Sequence, residues 1–476
     1  MARRCRRHTA LKRTWCRQQG GRQAEHQNQD RNHKRPSPTS GYAPLSNRAK
    51  VSGALLGPFG RNNERPVATE GALRNMWRRP EMSAYATSAP AAAGAASRRM
   101  ILIFLGLFIV PGVAQSVLLT VVPLEALRLL GTARAVTLLY VVAGLAALIG
   151  RLSIPLLVQQ IQRRFVFSLG ASLLVVSAAL LASGGPTTFA CGLALSSFAF
   201  ACIEITSNLY VLDHIPRHAL RHFEPARIFA CAGPWTFGPW FGVYLQQRVT
   251  FAAPFAVAAV AAMVLLVLFW WLRLTELASP SRKPPNPPRY LPRFFTQPRL
   301  RLAWGLAGAR SAWWSTFYLF TPIFAVTSGL TPEAGGAIAS FGTGWIFMVP
   351  LWGWVGRRYG LRRLLAVGYA TAGLMTVATA AAFHIPWIGA VTLVLAGFGA
   401  EMIDGAGNLL FLRAVHSYER SEMTTVFVSY RDVAQLGPPV VNAVLLSLFA
   451  LPSVFATAGL MMIGSAMLTR HIPRRL

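Results

Sequence analysis

From Met100 onward the chain alternates apolar stretches with short polar connections, and each stretch is close to the roughly 20 residues that a helix needs to cross about 30 Å of hydrocarbon. Twelve such stretches fall near 100–122, 134–157, 165–184, 187–210, 226–246, 250–272, 302–327, 334–355, 364–383, 387–411, 424–447 and 451–469. They are expected to be helices, because lipid offers no water to satisfy an open sheet edge. Alternate connections differ sharply in charge. One set holds 21 Lys+Arg and the other only Arg128, Arg134 and Arg248. This bias predicts an even number of spans with both termini in the cytoplasm. The Pro-rich connection 274–300 is the expected linker between residues 100–273 and 301–476, each carrying six spans.

Composition changes the picture in one respect. The chain is 53% hydrophobic and 13% charged, yet its formal net charge is +31. Residues 1–99 contribute 20 Lys+Arg against 5 Asp+Glu, and residues 100–476 contribute 27 against 11. The second surplus is mostly the sided charge of the connections, so it marks topology and not a nucleic-acid partner. Residues 1–99 show no sustained apolar period and read as a disordered basic extension. The Arg-rich start has no apolar stretch behind it, so it is not a secretory signal. A basic tail attracted to anionic lipid or RNA, an organelle transit peptide, and a true start at Met76, Met82 or Met100 all fit. The few cysteines exclude a disulfide scaffold: there are five, with Cys191, Cys202 and Cys231 inside apolar stretches.

The two halves repeat one another. Ile203-Glu204-x-x-x-Asn208-Leu209 in span 4 returns as Ile403-Asp404-x-x-x-Asn408-Leu409 in span 10. Gly238-Pro239 returns as Gly437-Pro438, Arg163-Arg164 as Arg362-Arg363, and Pro123 as Pro322. An even number of spans per repeat makes the halves parallel, with a substrate site expected near the midplane at their interface.

These features resemble the major facilitator superfamily over the whole of 100–476. The resemblance implies an all-α polytopic membrane protein, with 12 transmembrane helices in two parallel-related six-helix bundles that work by alternating access. The family's loop between spans 2 and 3 follows G-x-x-x-D-R-x-G-R-[RK]. Its later copy here is Gly353-Trp-Val-Gly-Arg357-Arg358-Tyr-Gly360-Leu-Arg362-Arg363, with Arg357 in place of the acid. In the earlier copy Pro155, Gln159, Gln160 and Gln162 replace the pattern, and Arg163-Arg164 persists. The family uses these loops to lock and release a cytoplasmic gate. In span 5, Gly238-Pro239-Trp-Phe-Gly242 is similar to the G-P-x-x-G core of drug and metabolite antiporters, whose usual second Gly is Val243 here. Those exporters commonly carry an Arg in span 4; this span 4 has none. The competing reading of the motif is a packing kink.

Ionised side chains inside a span cost about 2.5–3.5 kcal/mol on insertion scales, so they normally face protein or a wet cavity. Glu204, Arg310, Glu401, Asp404, Arg431 and Asp432 lie in that position. Glu401, Asp404 and Asn408 share one helical stripe at i, i+3 and i+7, and Glu204 and Asn208 are i, i+4. Glu204 and Asp404 are candidates to carry protons or face substrate, with Asn208 and Asn408 fixing their geometry; interhelical acid–Asn pairing is the alternative. Arg310, beside Trp313, Trp314 and Tyr318, would receive an anionic substrate or pair with Asp404 or Glu401. Arg431 and Asp432 are expected in structural pairs, and Gln115 is a polar candidate for the cavity wall. His214, His218 and His222 recur every four residues, but in a basic loop that would repel a metal ion, so no metal is expected. No phosphate-binding, nucleophile or zinc-enzyme motif is present, so neither an enzyme nor a cofactor is expected. These residues point to a monomeric secondary active transporter of a bacterial cell inner membrane that exports a small solute in exchange for protons. A proton-linked metabolite importer and a non-transporting assembly or sensing protein on the same scaffold are the alternatives.

Overall fold

The computed structural model describes residues 89–215, 217–272, 287–416 and 419–473. The basic segment 1–88, residues 274–286 of the Pro-rich connection, and the side chains of His218 and His222 lie outside the described residues. Among those described, every regular element is a helix. The first six are α1 (Ala89–Leu130), α2 (Ala133–Gln160), α3 (Arg163–Ala182), α4 (Pro186–His214), α5 (Arg217–Arg248) and α6 (Ala253–Trp271). A short α7 (Pro287–Thr296) precedes α8 (Pro298–Thr327), α9 (Pro332–Gly344), α10 (Val349–Tyr359), α11 (Leu361–Ala381), α12 (Pro386–Asp404), α13 (Leu409–Ala414), α14 (Arg420–Val428), α15 (Tyr430–Leu448) and α16 (Pro452–Leu468). Each of the twelve expected spans is occupied by helix. Nine helical segments among the described residues are long and apolar enough to cross a membrane on composition alone. The other three spans hold α5, α8 and α15, whose sequences include more polar and charged residues.

Local sequence sets the helix ends. Thr132 and Thr331 cap α2 and α9, their hydroxyls accepting from the N–H of Ala135 and Ala334 at 3.2 Å. Prolines open α4, α9, α12 and α16, where a missing N–H costs nothing. Gly360 joins α10 to α11 at φ +93°, a conformation that L side chains rarely adopt.

Four expectations change. The backbone is helical from Ala89, eleven residues before the expected start of order, because the Ala-rich run Ala91-Ala-Ala-Gly-Ala-Ala favours helix. The connection 274–300 is not wholly a linker: 287–296 forms α7, with Phe294 fully buried and Arg293 paired to Glu419. Span 8 is broken by a 3₁₀ turn at Trp345–Met348 just before Pro350, which cannot donate to the preceding turn. Span 10 is broken after Asp404, where Gly407 takes φ +52° and Trp352 packs against Gly405.

The halves use the same close helix crossings. A Cβ on Gly170 of α3 would lie 3.0 Å from the Ala199 carbonyl of α4, and one on Gly368 of α11 would lie 3.0 Å from the Gly399 carbonyl of α12. Helices α1–α6 pack chiefly on one another, as do α8–α16. Across the seam, α5 meets α9, α2 meets α15 and α1 meets α8. Trp240 N–H donates to Ser340 Oγ at 2.9 Å on the first of these contacts, and Gly144 approaches Leu436 on the second.

Candidate functional site

A cavity of about 520 Å³ lies between the halves, with walls from α1, α2, α4, α5, α8, α12 and α15. Its aromatic side is built from Trp235 of α5 and Trp314 and Tyr318 of α8. Trp314 stacks on Tyr318 at 5.3 Å between ring centroids, and Trp235 lies 5.9 Å from Tyr318. Tyr318 is positioned further by Thr343, 3.4 Å from its hydroxyl. Gln115, the polar residue expected in α1, lines the same space.

The charged side of the cavity is organised by Arg310. Its guanidinium sits 3.0 Å from Asp404 Oδ1 and donates to the Tyr430 hydroxyl at 3.3 Å. The indole N–H of Trp314 donates to the other Asp404 oxygen at 2.8 Å. Asp404 is therefore held by two donors from α8, and the pairing of Arg310 with Asp404 is the one of its three expected roles that is formed here. Glu401, one turn earlier on α12, is 3% exposed, and its Oε2 has no hydrogen-bond partner. It does not line the cavity.

The other half contributes differently from expectation. Asn208 does not hold Glu204: its side-chain oxygen accepts from Arg227 at 3.3 Å, while Glu204 faces Arg431 at 3.5 Å and Arg151 at 3.7 Å. Asn408 does not hold Asp404 either. The break after Asp404 turns it out of the stripe, leaving it exposed at the start of α13. Asp432 pairs with Arg151 at 2.7 Å, so Arg431 and Asp432 neutralise groups of the opposite half. Arg151 is the residue that sequence reasoning missed. The signal was present, since it is an arginine inside span 2 that belongs to neither set of connections.

The loop motifs are separate from this cavity. Arg163 pairs with Asp213 at the other end of α4, within the first half. Among the described residues, no carboxylate pairs with Arg357, Arg358, Arg362 or Arg363; Arg358 instead lies 5.3 Å over the Trp354 ring. A Cβ on Gly353 would meet only the end of the Arg357 side chain, at 3.6 Å. At the end of the molecule away from these arginines, Arg248 of α5 faces Glu333 of α9 at 3.7 Å. Gly238 and Gly242 pack directly on α1: a Cβ would lie 2.2 Å from Ser116 Oγ and 2.0 Å from the Val117 carbonyl oxygen, respectively. Thr120 reinforces the crossing by donating to the Pro239 carbonyl at 2.7 Å. The span-5 motif thus makes a close helix contact, and Pro239 lies within a continuous helix.

Among the described residues, three arginines at and beside the cavity, Arg151, Arg310 and Arg431, lie among four acids, Glu204, Asp404, Asp432 and Glu401. Three carboxylates face arginines. Glu401 is the fourth, and no arginine lies within ion-pair distance of it among the described residues.

A sequence profile of the Major Facilitator Superfamily matches residues 26–222 and 226–439. No curated protein matches the chain. Solved structures with a similar fold include a mutant of the peptide transporter POT (TM-score 0.63, 14% identity, 79% of this chain and 94% of that one). A mutant of the nucleoside transporter NupG (TM-score 0.60, 13% identity, 78% and 97%) and a D-xylose-proton symporter (TM-score 0.61, 13% identity, 80% and 98%) are similar to the same extent.

Proposed function

Because the chain belongs to the major facilitator superfamily, we propose that it is a secondary active transporter moving a small solute through the cavity between its halves, with protons as the coupling ion. The observation that carries the proton reading is the charge count around the interface. Three arginines face three carboxylates, and the remaining acid, Glu401, is buried with no ion-pair partner among the described residues, sharing only the field of the Arg310–Asp404 pair. An unpaired charge in a low-dielectric interior is costly, and one proton removes it. In this reading Glu401 takes and releases the proton, while Arg310 and Asp404 separate at the cavity wall when solute enters and re-pair when it leaves. Trp235, Trp314 and Tyr318 supply a planar, apolar face to the solute.

The connections rich in arginine face the cytoplasm in this proposal, which places both termini there. Residues 100–273 and 301–476 then act as the two moving units, joined through 274–300. Arg151 with Asp432, and Arg431 with Glu204, link the units toward the cytoplasmic side, and Arg248 with Glu333 links them on the other. Alternating access requires these two sets to break in turn. Export is the proposed direction, on the G-P-x-x-G resemblance of span 5. The test is flux in proteoliposomes of the full chain, loaded with a pH-sensitive dye and challenged with a panel of small solutes under imposed pH gradients of both signs. Solute flux that moves protons the opposite way supports antiport; co-directional movement would favour the importer. No gradient-dependent flux for any solute would contradict transport.

A further inference from the structure

The internal repeat allows one helix seam to be compared with its counterpart. In the first half, Gly238 and Gly242 of α5 have no room for a side chain, because α1 lies directly against them. In the second half the corresponding seam joins α15 to α8, with Gly437 in the place of Gly238. There the glycines do not buy closeness. A Cβ on Gly305, Gly437 or Gly464 would find no atom within 4 Å, and one on Gly308 would only reach Tyr430 Cβ at 3.9 Å.

The result is a groove of about 700 Å³ between α8, α15 and α16. It backs onto the central cavity without belonging to it: Arg310 and Pro439 line the cavity, whereas their neighbours Ala309 and Pro438 line the groove. The groove wall holds one polar group that the protein leaves unsatisfied. Asn442 is 5% exposed, and its amide makes no hydrogen bond among the described residues. The hydroxyls of Thr316, Thr457 and Ser465, also on the wall, each donate to their own helix, at the carbonyls of Ala312, Ser453 and Met461. A groove of this kind in a membrane-spanning face meets hydrocarbon and not water, so neither its void nor the Asn442 amide is filled by solvent.

We propose that this groove is a binding site for a bilayer glycerolipid, with an acyl chain filling the space beside Gly305, Gly308 and Gly437 and an ester carbonyl accepting from the Asn442 side-chain N–H. A hydrocarbon chain supplies the contacts that the missing side chains do not, and an ester supplies an acceptor without bringing a charge to this depth. The volume lies within the roughly 300–1,000 Å³ of small-molecule sites. The site stands on the comparison of seams and on Asn442, and does not depend on proton coupling or on the direction of transport.

The test is native mass spectrometry of the detergent-solubilised full chain with added dioleoylphosphatidylcholine, and oleate in a parallel arm. The unsubstituted chain is expected to retain one phosphatidylcholine through collisional activation and no oleate. Asn442→Leu, close to isosteric, is expected to lower the retained fraction about fivefold, the worth of one hydrogen bond. Gly437→Leu, which fills the groove, is expected to abolish retention. Circular dichroism and size-exclusion profiles check that both variants are folded; if Gly437→Leu is not, Asn442→Leu alone decides. No retained phosphatidylcholine on the unsubstituted chain, retention of oleate instead, or equal retention with Asn442→Leu would overturn the proposal.

Discussion

Arg310 and Asp404 hold one another in a setting where neither is tolerated alone. Removing one member of a buried pair costs about 3–5 kcal/mol, because the other charge is left behind. Asp404 is 31% exposed and partly screened by the cavity, so the lower end of that range is expected. Arg310→Met or Asp404→Leu should each lower the unfolding temperature in detergent, and the double variant should be more stable than either. If the double variant is as unstable as the sum of the singles, the pair is not what holds these groups. Glu204 is different, at 45% exposed and 3.5 Å from Arg431; Glu204→Gln should change stability by at most about 1 kcal/mol. The acids were legible from sequence as charges inside apolar stretches. Of their partners only Arg310 for Asp404 was among the expectations; Arg151 and Arg431 lie far from Asp432 and Glu204 in the chain, and only helix packing decides which of them meet.

At the level of helices, the closest test of packing is the α1–α5 crossing. Gly242→Val should destabilise by about 1–3 kcal/mol, since its Cβ would collide with the Val117 carbonyl and the helices would have to part. Thermal unfolding of that variant, set against Gly233→Ala on the same helix where the space is open, isolates the contact. The link between α2 and α15 makes a second prediction. Asp432 lies 2.7 Å from Arg151 and Glu204 lies 3.7 Å away. Asp432→Asn should therefore widen the distance distribution between spin labels at Gln159 and Glu422 more than Glu204→Gln does; the reverse order would show that Glu204 carries the link. Helix positions followed the apolar pattern closely, since hydrocarbon thickness dictates length. The breaks at Trp345–Met348 and Gly405–Asn408 did not show in that pattern, because apolar residues continue across the first and the second is a four-residue interruption flanked by apolar residues on both sides. Pro350 and the Gly405-Ala-Gly407 sequence were the signals available, and the second one cost the proposed Asn408 stripe its geometry.

For the molecule as a whole, the parallel repeat and the sided arginines were readable because both follow from crossing a bilayer an even number of times. The substrate was not, because the cavity wall draws a few side chains from each of seven helices, and no local pattern records that set. What the assembled walls add is a count of charges: three arginines, three facing carboxylates, and Glu401 with no ion-pair partner among the described residues. Proton coupling through Glu401 is the central claim, and Glu401→Gln tests it most directly because glutamine keeps the shape and fixes the group as neutral. The measurement compares two modes in proteoliposomes, using a solute that the unsubstituted chain transports: accumulation driven by a pH gradient, and solute-for-solute exchange without one. The account predicts that Glu401→Gln loses the first and keeps the second. Gradient-driven accumulation that survives in Glu401→Gln would contradict it.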